Sequence, residues 1–363
     1  MMMNNWLKLA CIGLLGYVLV FSLYVPLVPG GLHVDTEKIR PGVNEFVFTG
    51  YNTHFLSERK SLQVLIMSGN TTYCGEVVSV SDNAHVSTRV VLPDTLPSTT
   101  ITFFVNNDVD GTLSVFSAID MSSFVFAEGY KKGSCEMAVS NNEHIGFGFP
   151  FQHKLYEGIR NLMFHVPMWF TMFFLMIMSF AYGMKCLRGT KNNNVVVQFD
   201  NTDISHNEKL LRFDRKSADY AKVGLVFCML GLITGSIWAR FTWGDWWTSD
   251  PQLNGALAVF IAYSAYLILR SSTLDPEKRA RLSAIYNIFA FVMMVILLMI
   301  MPRFYDSMHP GKGGNPAFNS YDLDSSLRAV FYPAVIGWIL LGYWIYALKN
   351  RISNLTHKCH EQL

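Results

Sequence analysis

The stretch AKVGLVFCMLGLITGSIWARFTWGDWWTSDPQL, residues 221–253, decides which class of fold this chain adopts. Its first part, Ala221–Thr242, is apolar over the roughly 20 residues that a helix needs to cross a bilayer. The rest is aromatic. Four of the chain's eight tryptophans fall within ten residues, at Trp238, Trp243, Trp246 and Trp247. The stretch therefore predicts a membrane helix that leads directly into an aromatic loop at the membrane surface.

Five further segments are of similar length and similarly apolar, which predicts an α-helical integral membrane protein with six transmembrane helices. The six segments are Asn5–Pro29, Ile159–Leu187, Ala221–Thr242, Leu253–Arg270, Ala284–Met301 and Leu327–Leu348. The composition agrees, because only 15% of the residues are charged, against about 25% in soluble domains. The net charge of +2 is too small to indicate a nucleic-acid partner. The apolar segments make the lipid bilayer the expected environment.

Basic residues indicate the orientation of these helices. Twelve Lys and Arg side chains lie in 188–220, 271–283 and 349–363, and two lie in 243–252 and 302–326. Cytoplasmic loops carry the excess of Lys and Arg, so both termini are expected in the cytoplasm and the tryptophan loop outside. The first segment could instead be a cleaved signal peptide, since Lys8 precedes its apolar run, but its length and its lack of an A-x-A site favour a retained anchor.

The segment 31–157 is the one large hydrophilic part of the chain. It contains short runs with period-two alternation, such as NEFVFTGY and HVSTRVVL, separated by turn residues. This pattern predicts an extracytoplasmic all-β domain, sandwich-like or a barrel, between the first and second helices. Cys74 and Cys135 are its only cysteines, and an oxidising exterior favours a disulfide between them over two separate thiols.

These observations predict four consecutive regions. They are an N-terminal transmembrane anchor (1–30), a β-rich extracytoplasmic domain (31–157), a five-helix domain with a tryptophan-rich outer loop at 238–253 (158–350) and a cytoplasmic tail (351–363).

Two histidines should reach the same outer edge as the tryptophan loop. His165 lies in HVPMWF at the outer end of the second helix, and His309 lies in HPGKGGNP beyond the fifth. Neutral imidazole is a common axial ligand of haem iron, and indole rings stack on planar molecules. The residues alone leave haem, another planar ligand and no ligand open, because tryptophans also form interfacial belts and isolated histidines are commonly structural.

Three of these stretches together, HVPMWF, IWARFTWGDWWTSDPQL and HPGKGGNP, resemble a known family. It is the tryptophan-rich haem-handling family of CcmC (haem exporter protein C) and CcsA, from bacterial cytochrome c maturation. The resemblance covers Ile159–Ala347. It implies a protein of the bacterial inner (plasma) membrane that binds haem b at its outer face and passes it to a CcmE-like haem chaperone. Other cytochrome c maturation membrane proteins are the further partners implied.

The resemblance also implies roles for particular residues. His165 and His309 take the positions of the axial ligands of the haem iron, and the tryptophan-loop positions are Trp243, Gly244, Trp246, Trp247 and Asp250. The chain departs from the family at Ser249, where a further tryptophan is common, and in the additional 31–157 domain, whose role stays open. Three arginines near the outer edge are candidate contacts for the haem propionates, or else reach lipid headgroups: Arg240, Arg303 and Arg328.

Three other functions compete with haem delivery. A cytochrome c haem lyase or synthase component would attach haem to apocytochrome, but its larger relatives carry more helices and more membrane histidines than this chain. A haem transporter subunit would be expected to place charges inside its membrane segments, which are nearly uncharged here. An electron-transfer cytochrome commonly holds haem within the bilayer, and the interiors of these six segments carry no histidine. The sequence therefore predicts a binding and transfer protein with no catalytic residues.

Overall fold

The computed structural model describes residues 3–27, 31–34, 39–98, 100–118, 124–126, 147–149, 155–191, 201–305, 309, 323 and 325–361. The chain divides into two compact units. One unit contains Met1–Tyr24 and Gly158–Leu363, and the other contains Val25–Glu157.

The first unit is a bundle of long helices. They are α1 (Asn5–Tyr24), α2 (Leu162–Lys191), α3 (Asn201–Trp243), α4 (Pro251–Ser272), α5 (Pro276–Val295), the four-residue α6 (Met301–Phe304) and α7 (Ser325–Glu361). Within the described residues, six helical spans are long and apolar enough to cross a membrane. This confirms the predicted number of helices suited to that role. Helix α2 is central, because it packs against α3, α5 and α7, and α1 packs against α7.

Several helices extend further than hydrophobicity alone predicted. The region 188–220 was expected to be a loop, but α3 already begins at Asn201, and α7 continues through the expected tail to Glu361. The polar turns of these helices lack the apolar signal that defined the segments, although nothing in their sequence breaks a helix. Helix α5 likewise begins before its apolar part, where Asp275 caps its N-terminus through the backbone N–H of Lys278.

An ion pair joins the first half of α3 to the last turn of α4. Two guanidinium nitrogens of Arg270 lie 2.5 and 2.8 Å from the two carboxylate oxygens of Asp214. Both side chains are largely buried, with 12% and 4% of their surfaces exposed. The bidentate geometry offsets part of the cost of removing both charges from water.

Polar side chains also join α2, α3 and α5 inside the bundle. The hydroxyl of Ser179 donates to the carbonyl of Ser217 at 2.7 Å, and that of Ser217 donates to the carbonyl of Ser179 at 2.8 Å. The amide of Asn287 then donates to both hydroxyl oxygens, at 2.9 and 3.0 Å. Such contacts specify helix pairing in a bundle whose outer surface is apolar.

The second unit is built from short strands, as the alternating pattern predicted. They are β1 (Gly31–Val34), β2 (Gly42–Tyr51), β3 (Gln63–Ser68), β4 (Thr71–Val80), β5 (His85–Leu92), β6 (Thr95–Leu96), β7 (Thr100–Asn107), β8 (Gly111–Ala118) and β9 (Val125–Phe126). Seven of them form one antiparallel sheet in the order β1-β2-β5-β4-β3-β7-β8, and β6 pairs with β9 in parallel.

The seven-stranded sheet curls on itself, since its two edge strands, β1 and β8, contact each other. The domain is therefore barrel-like, so of the two predicted all-β forms the structure has the barrel rather than the sandwich-like one. One face of the sheet encloses a single core that includes Phe46, Phe48 and Phe103, whose rings meet edge to face or tilted. Alternation along a strand reveals one buried face, but it does not reveal whether a second sheet or the same sheet covers that face.

Cys74 lies on β4 and is disulfide-bonded. Its predicted partner, Cys135, lies outside the described residues, so the Cys74–Cys135 pairing stays a prediction. Four other cysteines, Cys11, Cys186, Cys228 and Cys359, are free thiols.

Candidate functional site

His165 lies in the first two turns of α2, which follows a 3₁₀ turn over Tyr156–Asn161. The helix continues through Pro167, whose missing N–H leaves one carbonyl of the preceding turn without its helical partner. Asn161 donates from its side chain to the backbone carbonyl of Thr234 on α3 at 2.9 Å. His165 contacts the same residue, because its Nδ1 lies 3.0 Å from the Thr234 hydroxyl.

Two glycines make room for the aromatic face of α2. A Cβ atom added at Gly235 would lie 2.8 Å from Cε1 of His165, and one added at Gly231 would lie 2.8 Å from the ring of Trp169. Any larger residue would force these rings away from α3. The close approach of the two helices therefore fixes the position of the His165 imidazole.

The Thr234 contact decides which nitrogen of His165 carries the lone pair. The Thr234 hydroxyl donates its proton to the carbonyl of Leu230 one turn earlier, at 2.8 Å. Its oxygen can then only accept from His165, so Nδ1 carries the hydrogen in the neutral ring. Nε2 is left with the lone pair, which is the atom that a metal would bind.

The tryptophan loop is folded back on its flanking helices by three hydrogen bonds. The backbone carbonyl of Trp246 accepts from Ser236 at 2.8 Å, and Nε1 of Trp247 donates to Asn254 at 3.2 Å. Arg240 donates to the carbonyl of Gly244, which has a φ of +88° that suits glycine. The indoles of Trp246 and Trp247 stay exposed, at 58% and 39% of their surfaces, and so provide accessible flat surface.

Asp250 ends the loop and begins α4. Its Oδ1 accepts from the backbone N–H of Gln252 at 2.9 Å and of Leu253 at 3.3 Å, so it is the N-cap, with Pro251 at the first helical position. A carboxylate is stabilised there by the helix dipole. The same oxygen lies 3.2 Å from Nδ1 of His309.

His309 is thus placed by Asp250 on one side and by Trp243 on another. The Trp243 and His309 rings meet edge to face, with centroids 5.2 Å apart. Burial lowers the pKa of His309 against the opposing effect of the Asp250 carboxylate. The carboxylate oxygen of Asp250 can only accept a hydrogen bond. Nδ1 of His309 must therefore donate, so Nδ1 carries the hydrogen and Nε2 carries the lone pair.

The structure brings most of the predicted site residues to one end of the bundle. His165 contacts Thr234, two residues before the Ser236 that donates to the Trp246 carbonyl. Contacts with Trp243 and Asp250 connect His309 to the tryptophan loop. Trp243 contacts His309 directly, and Trp246 and Trp247 are exposed. Of the three candidate arginines, Arg240 contacts the loop backbone, Arg303 is exposed on α6 and Arg328 is half-buried on α7.

Sequence reasoning missed Thr234 as the partner of His165. The only signal was a cluster of small residues in LGLITGS on α3, which is compatible with any close helix contact.

The donor set fits an iron that already has four equatorial ligands. In the part of the chain that the structure describes, no group of three or more His, Cys, Asp or Glu could hold a bare metal ion. Haem iron needs only two axial ligands, and two imidazoles with oriented Nδ1–H groups can supply them. The exposed indoles offer the planar contact that a porphyrin requires.

Comparison with known proteins points in the same direction. The family model for cytochrome C assembly protein matches residues 83–309. A cytochrome c biogenesis protein CcsA from Prochlorococcus marinus is 36% identical over 114 residues, which cover 31% of this chain and 34% of that protein. Heme exporter protein C from Paracoccus denitrificans is 31% identical over 131 residues, covering 36% and 54%. The chain thus spans about a third to a half of the length of these relatives.

Proposed function

The chain belongs to the cytochrome c assembly protein family, and from this membership we propose that it binds haem b at the outer face of the bacterial inner membrane and delivers it to a CcmE-like haem chaperone. In this proposal the other cytochrome c maturation membrane proteins are its further partners. Both termini lie in the cytoplasm, and the tryptophan loop and the β-domain lie outside.

One observation carries the proposal above the others. His165 and His309 each direct Nδ1–H to an acceptor of the chain, Thr234 and Asp250, at 3.0 and 3.2 Å. Metal-binding histidines are commonly oriented by such a second partner. Both histidines lie at the end of the bundle that carries the exposed indoles of Trp246 and Trp247, and among the described residues no group of three or more His, Cys, Asp or Glu could hold a bare metal ion.

The arrangement suits transfer better than permanent binding. The Fe–Nε2 bonds hold the iron, and Trp246 and Trp247 hold the porphyrin by stacking, which is worth about 1 kcal/mol for each aromatic pair beyond the buried area. An acceptor can replace one axial ligand while the other contacts persist. The haem then never needs to be released into water.

The direct test uses the full-length protein purified in detergent. We expect a Soret band and a six-coordinate, low-spin spectrum after haem is added, and loss of that band when a CcmE-like acceptor is supplied. Absence of haem binding would refute the proposal. A thioether-linked product formed with apocytochrome alone would favour the haem lyase function, and haem uptake into sealed vesicles would favour the transporter function.

The proposed orientation predicts which loops are accessible from outside the cell. Asp245 is exposed in the tryptophan loop, and Leu274 is 91% exposed between α4 and α5, at the other end of α4. In a background where the exposed thiol of Cys359 is replaced by serine, an impermeant maleimide should label Asp245→Cys but not Leu274→Cys. Labelling of both after membrane permeabilisation is the control, and the reverse pattern would overturn the orientation.

The candidate propionate contacts make a second prediction. Haem carries two carboxylates, and burying them unpaired is costly. We expect Arg240→Ala combined with Arg303→Ala to weaken haem binding by about 1.5–3 kcal/mol, the range for hydrogen bonds to charged groups. Because Arg240 also contacts the Gly244 carbonyl, Arg240→Lys is the matched variant that keeps the charge. Unchanged haem content in the double alanine variant would exclude these arginines and leave Arg328 as the candidate.

A further inference from the structure

The two proposed iron ligands differ in the group that accepts their Nδ1–H. His309 donates to the carboxylate of Asp250 at 3.2 Å, and His165 donates to the hydroxyl of Thr234 at 3.0 Å. A charged acceptor makes a hydrogen bond roughly twice as strong as a neutral one, which outweighs the slightly longer distance. A carboxylate partner also raises the basicity of the opposite nitrogen, the one that binds metal.

The surroundings keep this difference in place. The Asp250 side chain is 1% exposed, and as the N-cap of α4 it accepts two backbone N–H groups that hold it in position. The Thr234 hydroxyl has donated its proton to Leu230 and offers His165 only a neutral lone pair. Nε2 of His309 is therefore the better electron donor of the two.

We propose that Asp250 makes His309 the retained axial ligand, and that His165 is the ligand that leaves the iron when haem passes to an acceptor. The proposal rests on the proposed function. In the transfer step the Fe–Nε2 bond of His165 breaks and its electron pair returns to Nε2. A ligand atom of the acceptor donates a pair to the vacated position, so the oxidation state of the iron does not change. Asp250 acts through His309 and is a positioning residue.

Two proteins with one histidine ligand each test this order. His165→Gly keeps His309, and His309→Gly keeps His165, with imidazole in the buffer to fill the missing axial position. Haem dissociation is followed as transfer to an excess of apomyoglobin. We expect haem to leave His309→Gly about 10-fold faster than it leaves His165→Gly. Losing a second partner of a metal ligand commonly costs about 10–100-fold in affinity, and the His165 that remains in His309→Gly keeps a partner, but a neutral one.

Asp250 substitutions in both backgrounds separate positioning from structure. Asn and Ser both keep an N-cap for α4, and both remove the carboxylate from His309. In the His165→Gly background they should accelerate haem loss by roughly 10–100-fold. In the His309→Gly background the same substitutions are measured without imidazole, because imidazole would take the place of the His309 ring beside Asp250. There they should accelerate haem loss far less than in the His165→Gly background, and Thr234→Val should change the rate by less than ~10-fold. The midpoint potential of otherwise wild-type Asp250→Asn should rise, since a weaker donor stabilises ferric iron less.

The outcomes distinguish the two levels of the proposal. Equal or reversed rates in the two single-ligand proteins would overturn the order of release, while the haem site itself stands. Equal effects of Asp250→Asn in both backgrounds would reduce Asp250 to a structural cap and overturn its positioning role. Failure of the wild-type protein to bind haem would refute the proposed function and the inference with it.

Discussion

Replacing His165 and His309 together by glycine should abolish haem retention. Both imidazoles present Nε2 lone pairs, because their Nδ1 atoms are held by Thr234 and Asp250. Since the second partner of a metal ligand is alone worth about 10–100-fold in affinity, we expect loss of both ligands to cost more than ~100-fold. Each single replacement should cost less than the pair, since one ligand and the aromatic contacts remain. The measurement is the haem content and absorption spectrum of each purified variant.

Imidazole rescue shows whether the lost side chain was a ligand. Added imidazole should restore a six-coordinate, low-spin spectrum in His165→Gly and in His309→Gly, since it fills the space of the missing ring. His85→Gly is the matched control, because His85 is also oriented by a carboxylate, that of Asp82 at 2.9 Å, but lies in the β-domain. If both single bundle variants keep the wild-type spectrum without imidazole, another residue binds the iron and the site assignment fails.

The largest effect on stability is expected at the buried ion pair between α3 and α4. Removing one partner of a buried pair leaves an uncompensated charge, which typically costs 3–5 kcal/mol. Arg270→Ala or Asp214→Ala should therefore lower the free energy of unfolding by about that amount. Replacing both at once, Asp214→Ala with Arg270→Met, should cost less than either single change, because no buried charge is left unpaired. Denaturant unfolding of the bundle in detergent measures each value.

The β-domain supplies the control for this prediction. Arg89 and Glu45 also form an Arg–carboxylate pair, with two guanidinium nitrogens 2.9 and 3.3 Å from one carboxylate oxygen, but 46% and 68% of their side chains are exposed. Exposed pairs are worth at most about 1 kcal/mol, so Arg89→Ala should have little effect. If Arg270→Ala is no more costly than Arg89→Ala, burial of the α3–α4 pair has no energetic consequence and the interpretation is wrong.

The helices could be predicted because a long apolar segment inside a bilayer must satisfy its own backbone hydrogen bonds, and an α-helix does so within the segment. Their polar extensions could not, since hydropathy does not separate an amphipathic turn at the start of α3 from a loop. The β-domain shows a similar limit. Alternation revealed the buried faces of β2 and β5, but closure of the sheet through β1 and β8 depends on strand order and curvature. Neither quantity is encoded in a local pattern.

Within the candidate site, the residue types and the membrane edge at which they meet could be predicted from the sequence. His165, His309 and the tryptophan loop all adjoin the same ends of consecutive antiparallel apolar segments, so the order of the segments places them at one edge. The partner of each histidine could not be predicted in this way. Thr234 lies 69 residues from His165 and Asp250 lies 59 residues from His309, and hydrogen bonds between such distant positions arise from helix packing rather than from any local sequence signal.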